Sequence, residues 1–329
     1  YVKSFKYYMN NVFAILVTYN PDEKVFDKVL SSISSQVPII IIDNASKNHD
    51  FICELSKKHS NIELSFLKSN IGLASAQNIA IGIAKKNMAS HVLFFDQDSI
   101  IENEFVNNLI SAEEALLQSG VSVGAVGPGF YDPDNNMMYP ATVYKGLFIK
   151  RVSLDKQPIE ASFVIASGCL IRMSVLDDVG LMKDELFIDY IDIEWSLRAK
   201  ALGYPVFVVP SAKMAHTIGE KRISIFGRPI SIHSPIRRYF MLRNSFFMMK
   251  LPYVPLGYKL REVVFNFARF ALGFIFSNDK VVYLQYAIKG ITEETAGVLA
   301  GQVNAMRINQ VEGIHIMRQQ LVHLAEIAA

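Results

Sequence analysis

The sequence is poor in cysteine, nearly balanced in charge and free of long apolar runs. Its two cysteines, Cys53 and Cys169, lie far apart without the spacing of metal ligands, so no cysteine-built metal site is expected. No secretory signal is visible, which fits a reducing cytoplasmic setting. Nowhere do about 18 apolar residues follow one another, so no transmembrane helix is expected. Lys and Arg total 33 against 31 Asp and Glu, which argues against nucleic acid as a partner. The stretch 124–129 is glycine-rich but lacks the Gly-x-Gly-x-x-Gly fingerprint, and no phosphate loop ending Gly-Lys-Ser/Thr occurs. A nicotinamide oxidoreductase and a P-loop kinase are both disfavoured.

What is present is apolar and regularly spaced. At 329 residues and 51% hydrophobic content the chain can bury a large core. Apolar runs at 12–17, 38–42, 62–67, 92–95 and 121–126 read as buried strands. Helical spacing at 21–35, 51–59, 73–87 and 102–118 falls between them. Strands apolar on both faces and separated by helices predict an α/β fold with a mostly parallel sheet covered on both sides. Helical signals dominate from 234 onward. The expected division is a catalytic unit over 1–233, a helical region over 234–300 and a helical tail over 301–329.

Ligands bind beyond the carboxyl ends of the strands in such sheets. Polar residues gather at those positions: Thr18, Tyr19 and Asn20 after the first strand, Asp43 after the second, Asn70 and Gly72 before the third helix. Asp96-Gln97-Asp98 follows the fourth strand. Two carboxylates so close repel, and a divalent metal with phosphate oxygens is the natural occupant between them. An Asp-x-Asp alone also begins turns and caps helices, so its place after a buried strand is what lends it weight.

A second acidic cluster, Asp189, Asp192 and Glu194, alternates with Phe187, Tyr190 and Trp195. One reading is an acidic helix start that complements the macrodipole, with Asp189 and Asp192 on one face and Glu194 paired to Arg198. The apolar interleaving favours buried acids instead, and buried acids with raised pKa suit general-base work near neutral pH.

With both clusters placed, the chain resembles family-two inverting glycosyltransferases of the GT-A fold, in particular bacterial rhamnosyltransferases that build surface polysaccharides. The pieces are Leu16-Val-Thr-Tyr-Asn-Pro21, Ile41-Ile-Asp-Asn-Ala-Ser46, Asn70-Ile-Gly-Leu-Ala-Ser-Ala-Gln-Asn78, Phe95-Asp-Gln-Asp-Ser99, Ala166-Ser-Gly-Cys-Leu170, the segment 187–198, Ala215-His216 and Arg237-Arg-Tyr-Phe-Met-Leu-Arg-Asn244. They stand in the family's order across 12–244.

The resemblance implies roles. Thr18, Tyr19 and Asn20 would line the nucleotide base, and Asp43 would read its edge. Asp96 would face the ribose, with Gln97, Asn70, Gly72 and Asn78 in the same donor site. Asp98 would hold Mg or Mn, and His216 would contact that metal or the pyrophosphate. Asp192 would be the catalytic base, tuned by Asp189 and Glu194. Arg238 and Arg243 could fork onto phosphate, while Arg237 fits phosphate contact and an ordinary basic face equally. The implied donor is dTDP-β-L-rhamnose, and the implied acceptor is a lipid-linked glycan. A different UDP- or dTDP-sugar, a nucleotidyltransferase and a catalytically silent glycan-binding subunit are the rival readings.

Two C-terminal features remain. Residues 263–276, with Phe246-Phe-Met-Met249 before them and Lys250, Lys259, Arg261 and Lys280 around them, fit an interfacial helix at the inner face of the cell membrane or a core helix. In the tail, Ile314, Met317, Leu321, Leu324 and Ala328 form a stripe that predicts a homo-oligomer or packing within the chain.

Overall fold

A computed structural model describes residues 11–132, 137–215, 222–225, 228–231, 235–276 and 280–295. His216 and the tail stripe from Ile314 lie outside them.

The expected βα alternation is present. Strands β1 (Val12–Thr18), β2 (Ile39–Asp43), β3 (Ile62–Phe66) and β4 (His91–Phe95) pair in parallel in the order β3-β2-β1-β4. Helices α1 (Glu23–Ser34), α2 (Asp50–Lys57) and α3 (Leu73–Lys86) connect them, and α4 (Phe105–Gln118) follows. Alternate strand residues face opposite sides, so each strand feeds two cores. Ile15, Ile40, Ile42 and Phe94 pack under α3, while Ala14, Leu16, Ile39 and Ile41 pack under α1 and α4. Buried Ala74, Ala76, Ala80 and Ala84 make α3 thin on its sheet side, so it can lie close to β1 and β2.

Beyond β4 the chain leaves the simple pattern. β5 spans Ala125–Tyr131 rather than starting at 121, and runs through Gly127-Pro128-Gly129. Close packing explains the glycine: a Cβ on Gly127 would stand 3.0 Å from Val164. A hairpin, β6 (Ala141–Lys145) and β7 (Phe148–Val152), precedes β8 (Ile159–Ala161). β9 (Cys169–Arg172) then inserts antiparallel between β4 and β5, and β10 (Val206–Ala215) runs parallel to β5. The sheet order is β3-β2-β1-β4-β9-β5-β10-β8. Helices α5 (Met173–Val179) and α6 (Ile191–Ala201) lie between β9 and β10, and a hairpin of β11 (Arg222–Ile225) and β12 (Arg228–Ser231) follows.

Helices α7 (Pro235–Lys250), α8 (Leu256–Phe276) and α9 (Lys280–Thr295) complete the described chain. Met248 of α7 and Tyr258 of α8 share a core with Phe94 and Trp195, so these helices pack on the catalytic unit. Among the described residues no helix is long and apolar enough to cross a membrane.

Candidate active site

The ends of β1 and β2 form one wall. Asp43 is fully buried and its carboxylate is saturated by the protein itself. The Thr18 hydroxyl donates to it at 2.9 Å, the Ser46 amide at 3.0 Å and the Ser46 hydroxyl as well. His49 Nδ1 lies 3.0 Å away, a contact that requires the proton on that nitrogen. Ser46 in turn accepts from the Asn20 amide at 2.8 Å, and Asn20 accepts from the Lys47 amide at 2.9 Å. Tyr19 is exposed, and its amide donates to Gln97 at 2.9 Å, which links the ends of β1 and β4. Ser46 and His49 were not singled out from sequence, although Ser46 lies in a quoted motif.

Asn70 accepts from the Asn44 side-chain Nδ2 at 3.0 Å and from the Gly72 backbone amide at 2.9 Å, shaping the turn into α3. Gly72 has φ +90, and a Cβ there would meet Phe187 at 2.6 Å. Only glycine lets α3 start against the catalytic segment. Asn78 is spent on structure, donating to Met182 O and to Asp184 at 2.8 Å each.

Asp96 and Asp98 are the opposite of Asp43. Among the described residues neither carboxylate accepts a hydrogen bond. Burial first, then the charges of Asp98 and Asp192, push the Asp96 carboxyl up to about 7, and Arg237 opposes them. These couplings bring Asp96, Asp98, Asp192 and Arg237 into one electrostatic unit. The backbone beneath is fixed: the Gly168 amide donates to Phe94 O at 2.7 Å, and Ser167 and Ser99 hydrogen-bond through their hydroxyls. The half-buried Asp96 and the exposed Asp98 accept from no protein donor among the described residues, and would offer hard oxygen ligands of the kind Mg or Mn takes, with water and phosphate to complete the shell. No cluster of three or more metal-ligating side chains occurs among the described residues.

Asp192 opens α6. Its Oδ1 accepts from the Ile193 amide at 2.8 Å and its Oδ2 from the Ala166 amide at 3.2 Å. Burial raises its pKa, the two amides oppose this, and Asp189 raises it further. A cavity beside it is lined by Gln77, Phe94, Val164, Cys169 and Trp195.

Asp189 is not on that helix, contrary to expectation. Phe187, Asp189 and Tyr190 all have left-handed φ (61, 63 and 66), so the chain coils tightly before α6 begins at Ile191. Such backbone persists only where neighbours hold it. Asn244 does so, donating to Leu186 O at 2.8 Å, Ile188 O at 2.7 Å and Asp189 O at 3.1 Å. Asp189 pairs with Arg237 at 3.0 Å. The Tyr190 hydroxyl donates to Glu262 of α8 at 2.7 Å, and Glu262 also pairs with Arg269 at 3.1 Å. Glu194 is fully buried, accepts from Arg198 at 2.9 Å as the i,i+4 spacing predicts, and also accepts from the Tyr253 hydroxyl. Its carboxylate therefore anchors α6. The residues around Asp192 are thus tied to α7 through Asp189, to α8 through Tyr190 and to the loop between them through Glu194.

The arginines divide. Arg237 faces the carboxylates. Arg238 is buried toward α8 and α9, where burial lowers its pKa, and its Nε finds no acceptor among the described residues. Arg243 lies over the Phe240 ring at 4.9 Å and donates to Leu186 O at 3.1 Å, holding the catalytic segment from behind.

A sequence model described as Glycosyl transferase family 2 matches residues 13–180. The chain is 35% identical over 298 residues to the dTDP-rhamnosyl transferase RfbF of Shigella flexneri, covering 89% of this chain and 98% of that protein. Among solved structures it is similar to GalNAc-T7 with UDP, GalNAc and Mn2+, with a TM-score of 0.53 and 14% identity over 87% of this chain. That match spans 58% of the GalNAc-T7 chain. It is also similar to residues 1–349 of S. aureus TarS, with a TM-score of 0.50 and 17% identity over 84% of this chain and 81% of that one. The structural likenesses speak for the GT-A type of fold. The sequence matches, together with the carboxylates at one sheet edge, place this chain in glycosyl transferase family 2.

Proposed function

We propose that the chain is an inverting rhamnosyltransferase that moves L-rhamnose from dTDP-β-L-rhamnose to a hydroxyl of a lipid-linked glycan, in bacterial surface polysaccharide synthesis such as that of O-antigen. The near full-length similarity to a dTDP-rhamnosyl transferase supports the donor, and the position of Asp192 supports the chemistry. Residues 1–233 form the catalytic unit, followed by a region over 234–300, whose described helices α7 and α8 hold the catalytic segment, and a C-terminal segment over 301–329.

The acceptor oxygen attacks the anomeric carbon from the face opposite the leaving group. Asp192 takes the hydroxyl proton as the new C–O bond forms and the bond to the diphosphate oxygen breaks. The raised pKa of Asp192 makes it a stronger base than a free carboxylate. Tyr19 and Asn20 line the nucleotide base, on a wall braced from inside by buried Thr18 and Asp43, and Asp96 with Gln97 faces the ribose. Arg237 orients Asp189 and brings positive charge toward Asp96. Asp98, with Asp96 beside it and His216 as a further candidate ligand, would hold a divalent cation, which would supply charge neutralisation for the departing diphosphate. A lipid-linked acceptor places the enzyme at the inner face of the cell membrane.

The test is a donor panel assayed for nucleotide release with Mg or Mn and with chelator. Metal-dependent dTDP release from dTDP-rhamnose, faster than UDP release from UDP-sugars, is expected. Preference for another sugar nucleotide overturns the donor, and no release from any donor points to the glycan-binding subunit.

A further inference from the structure

The segment before Asp192 is held from two helices, and the hold from α8 has no role in the chemistry described so far. Phe187, Asp189 and Tyr190 have left-handed φ without being glycine, a backbone that persists only under outside restraint. From α7, Asn244 restrains the carbonyls of 186, 188 and 189, and Arg237 the Asp189 carboxylate. Tyr190 is held at its far end. Its hydroxyl donates to Glu262 of α8 at 2.7 Å and accepts from Arg269 at 3.3 Å, while Arg269 also donates to Glu262 at 3.1 Å. Three groups close on one another in the interior, with Glu262 only 2% exposed.

Arg269, and Arg261 at 3.8 Å, would balance the Glu262 charge without any tyrosine. The contact to Tyr190 does something else. Burial first, then the charge of Glu262, raises the Tyr190 pKa, so the phenol stays protonated and keeps its role as donor. Tyr190 also caps α6. Its carbonyl accepts from the Glu194 amide at 2.8 Å, the first bond of that helix, and Asp192 is the helix's second residue. One of the two amides that hold the Asp192 carboxylate, that of Ile193, belongs to the same first turn. A tilt of the helix start therefore carries the carboxylate with it.

We propose that Glu262 is a positioning residue for the transfer reaction: through the Tyr190 hydroxyl it sets the angle at which Asp192 meets the acceptor oxygen. The proposal rests on Asp192 as the base and gives α8 a part in that step. Glu262 itself hydrogen-bonds only Tyr190 and Arg269 among the described residues.

The experiment uses variants of the full chain that separate aim from stability. Tyr190→Phe removes the hydroxyl and keeps the ring. Glu262→Met removes the acceptor, and Glu262→Gln removes the charge but keeps an acceptor. Transfer rates are measured per folded molecule, beside denaturant midpoints and the donor KM. Tyr190→Phe and Glu262→Met are expected to lower kcat by up to about 100-fold, the cost of a displacement near 1 Å, with the donor KM unchanged. Glu262→Gln should restore most of that loss although its charge is gone. In an Asp192→Asn background Tyr190→Phe should cost nothing further, because no base is left to aim. Should Glu262→Met not fold, Tyr190→Phe still decides, since it leaves Glu262 paired with Arg269. A lowered midpoint with kcat per folded molecule undiminished in Tyr190→Phe overturns the proposal. So does a rate in Glu262→Gln no better than in Glu262→Met, or a full further loss in the Asp192→Asn background. Transfer retained by Asp192→Asn alone would sink the base and this proposal together, whereas its loss beside an undiminished Tyr190→Phe sinks this proposal only.

Discussion

Asp43 and Asp96 end the two strands that flank β1, and the protein treats them in opposite ways. Asp43 is buried and receives Thr18, Ser46 and His49, so its acceptor positions are filled before any ligand arrives. Asp96 receives no hydrogen bond from the described residues and shares its field with Asp98 and Asp192. A saturated carboxylate builds a wall, whereas neighbouring carboxylates without protein donors repel one another, and a cationic ligand relieves that repulsion. The same sheet edge thus has a finished side, where the nucleotide base would rest, and an unfinished side, where the chemistry would occur.

The strongest way to break this contrast is Asp192→Asn. An amide of the same shape cannot take the acceptor proton, so turnover is expected to fall about 10²–10⁴-fold, the range general-base catalysis supplies. Donor affinity measured by calorimetry should stay within a few-fold, because the diphosphate is held elsewhere. Transfer within a few-fold of the unaltered chain would remove Asp192 from the role. The pH profile belongs to the same test. The base works deprotonated, so kcat/KM should drop as pH falls through its pKa, and burial sets that point above the ordinary ~3.9 of an aspartate. An acid limb that persists unchanged in Asp192→Asn would assign it to another group.

Asp98→Ala comes next. With Mg or Mn present the donor should bind roughly 10–100-fold more weakly, as expected for loss of a charge-assisted contact of about 1.5–3 kcal/mol. Chelator should bring the unaltered chain to the same level. Full activity in chelator would show that the unfinished side needs no metal.

On the finished side, Asp43→Asn should cost stability more directly. An amide presents a donor where the Ser46 amide and His49 already donate, so a loss of about 1–3 kcal/mol is expected, read as a lower midpoint in denaturant. An unchanged midpoint would mean that the saturated arrangement contributes nothing to the fold.

How much of this was legible in the sequence follows from which forces act locally. β1 to β4 and α1 to α4 lie within a few residues of expectation, because apolar runs and helical periods are properties of short windows. β5 was misplaced because its Gly127-Pro128-Gly129 reads as a loop until Val164 is seen packed against it. Asp189 was put on α6 because no sequence signal announces three left-handed residues held by Asn244 from α7. The division among Arg237, Arg238 and Arg243 depends on which way a helix faces, which neighbouring positions do not disclose. For 263–276 the apolar content and basic flanks were visible and left an interfacial or a core helix open; the polar inner face, where Tyr190 and Arg269 bind Glu262, depends on contacts distant in sequence.

The smallest effect is also the most direct measure of the comparison. Asp96 has a folded pKa of about 7 against 3.8 for the free group, so the folded chain holds that proton more tightly than the unfolded one. Its sign is therefore reversed from that of a paired carboxylate. The contribution is fully favourable below about 4, fades as pH rises from about 4 to about 7, and is lost above. Asp96→Asn removes the charge and with it this decline. In chelator, the variant should match the unaltered chain at pH 4 and exceed it at pH 8 by on the order of 1 kcal/mol, once solvent screening is allowed for. Adding Mg or Mn at pH 8 should close the gap, because the cation stabilises the charged form of the unaltered chain. Denaturant midpoints at the two pH values, with and without metal, give the four numbers needed. A variant less stable than the unaltered chain at pH 8 in chelator would mean that Asp96 is as satisfied as Asp43, and the two sides of the sheet edge would no longer differ.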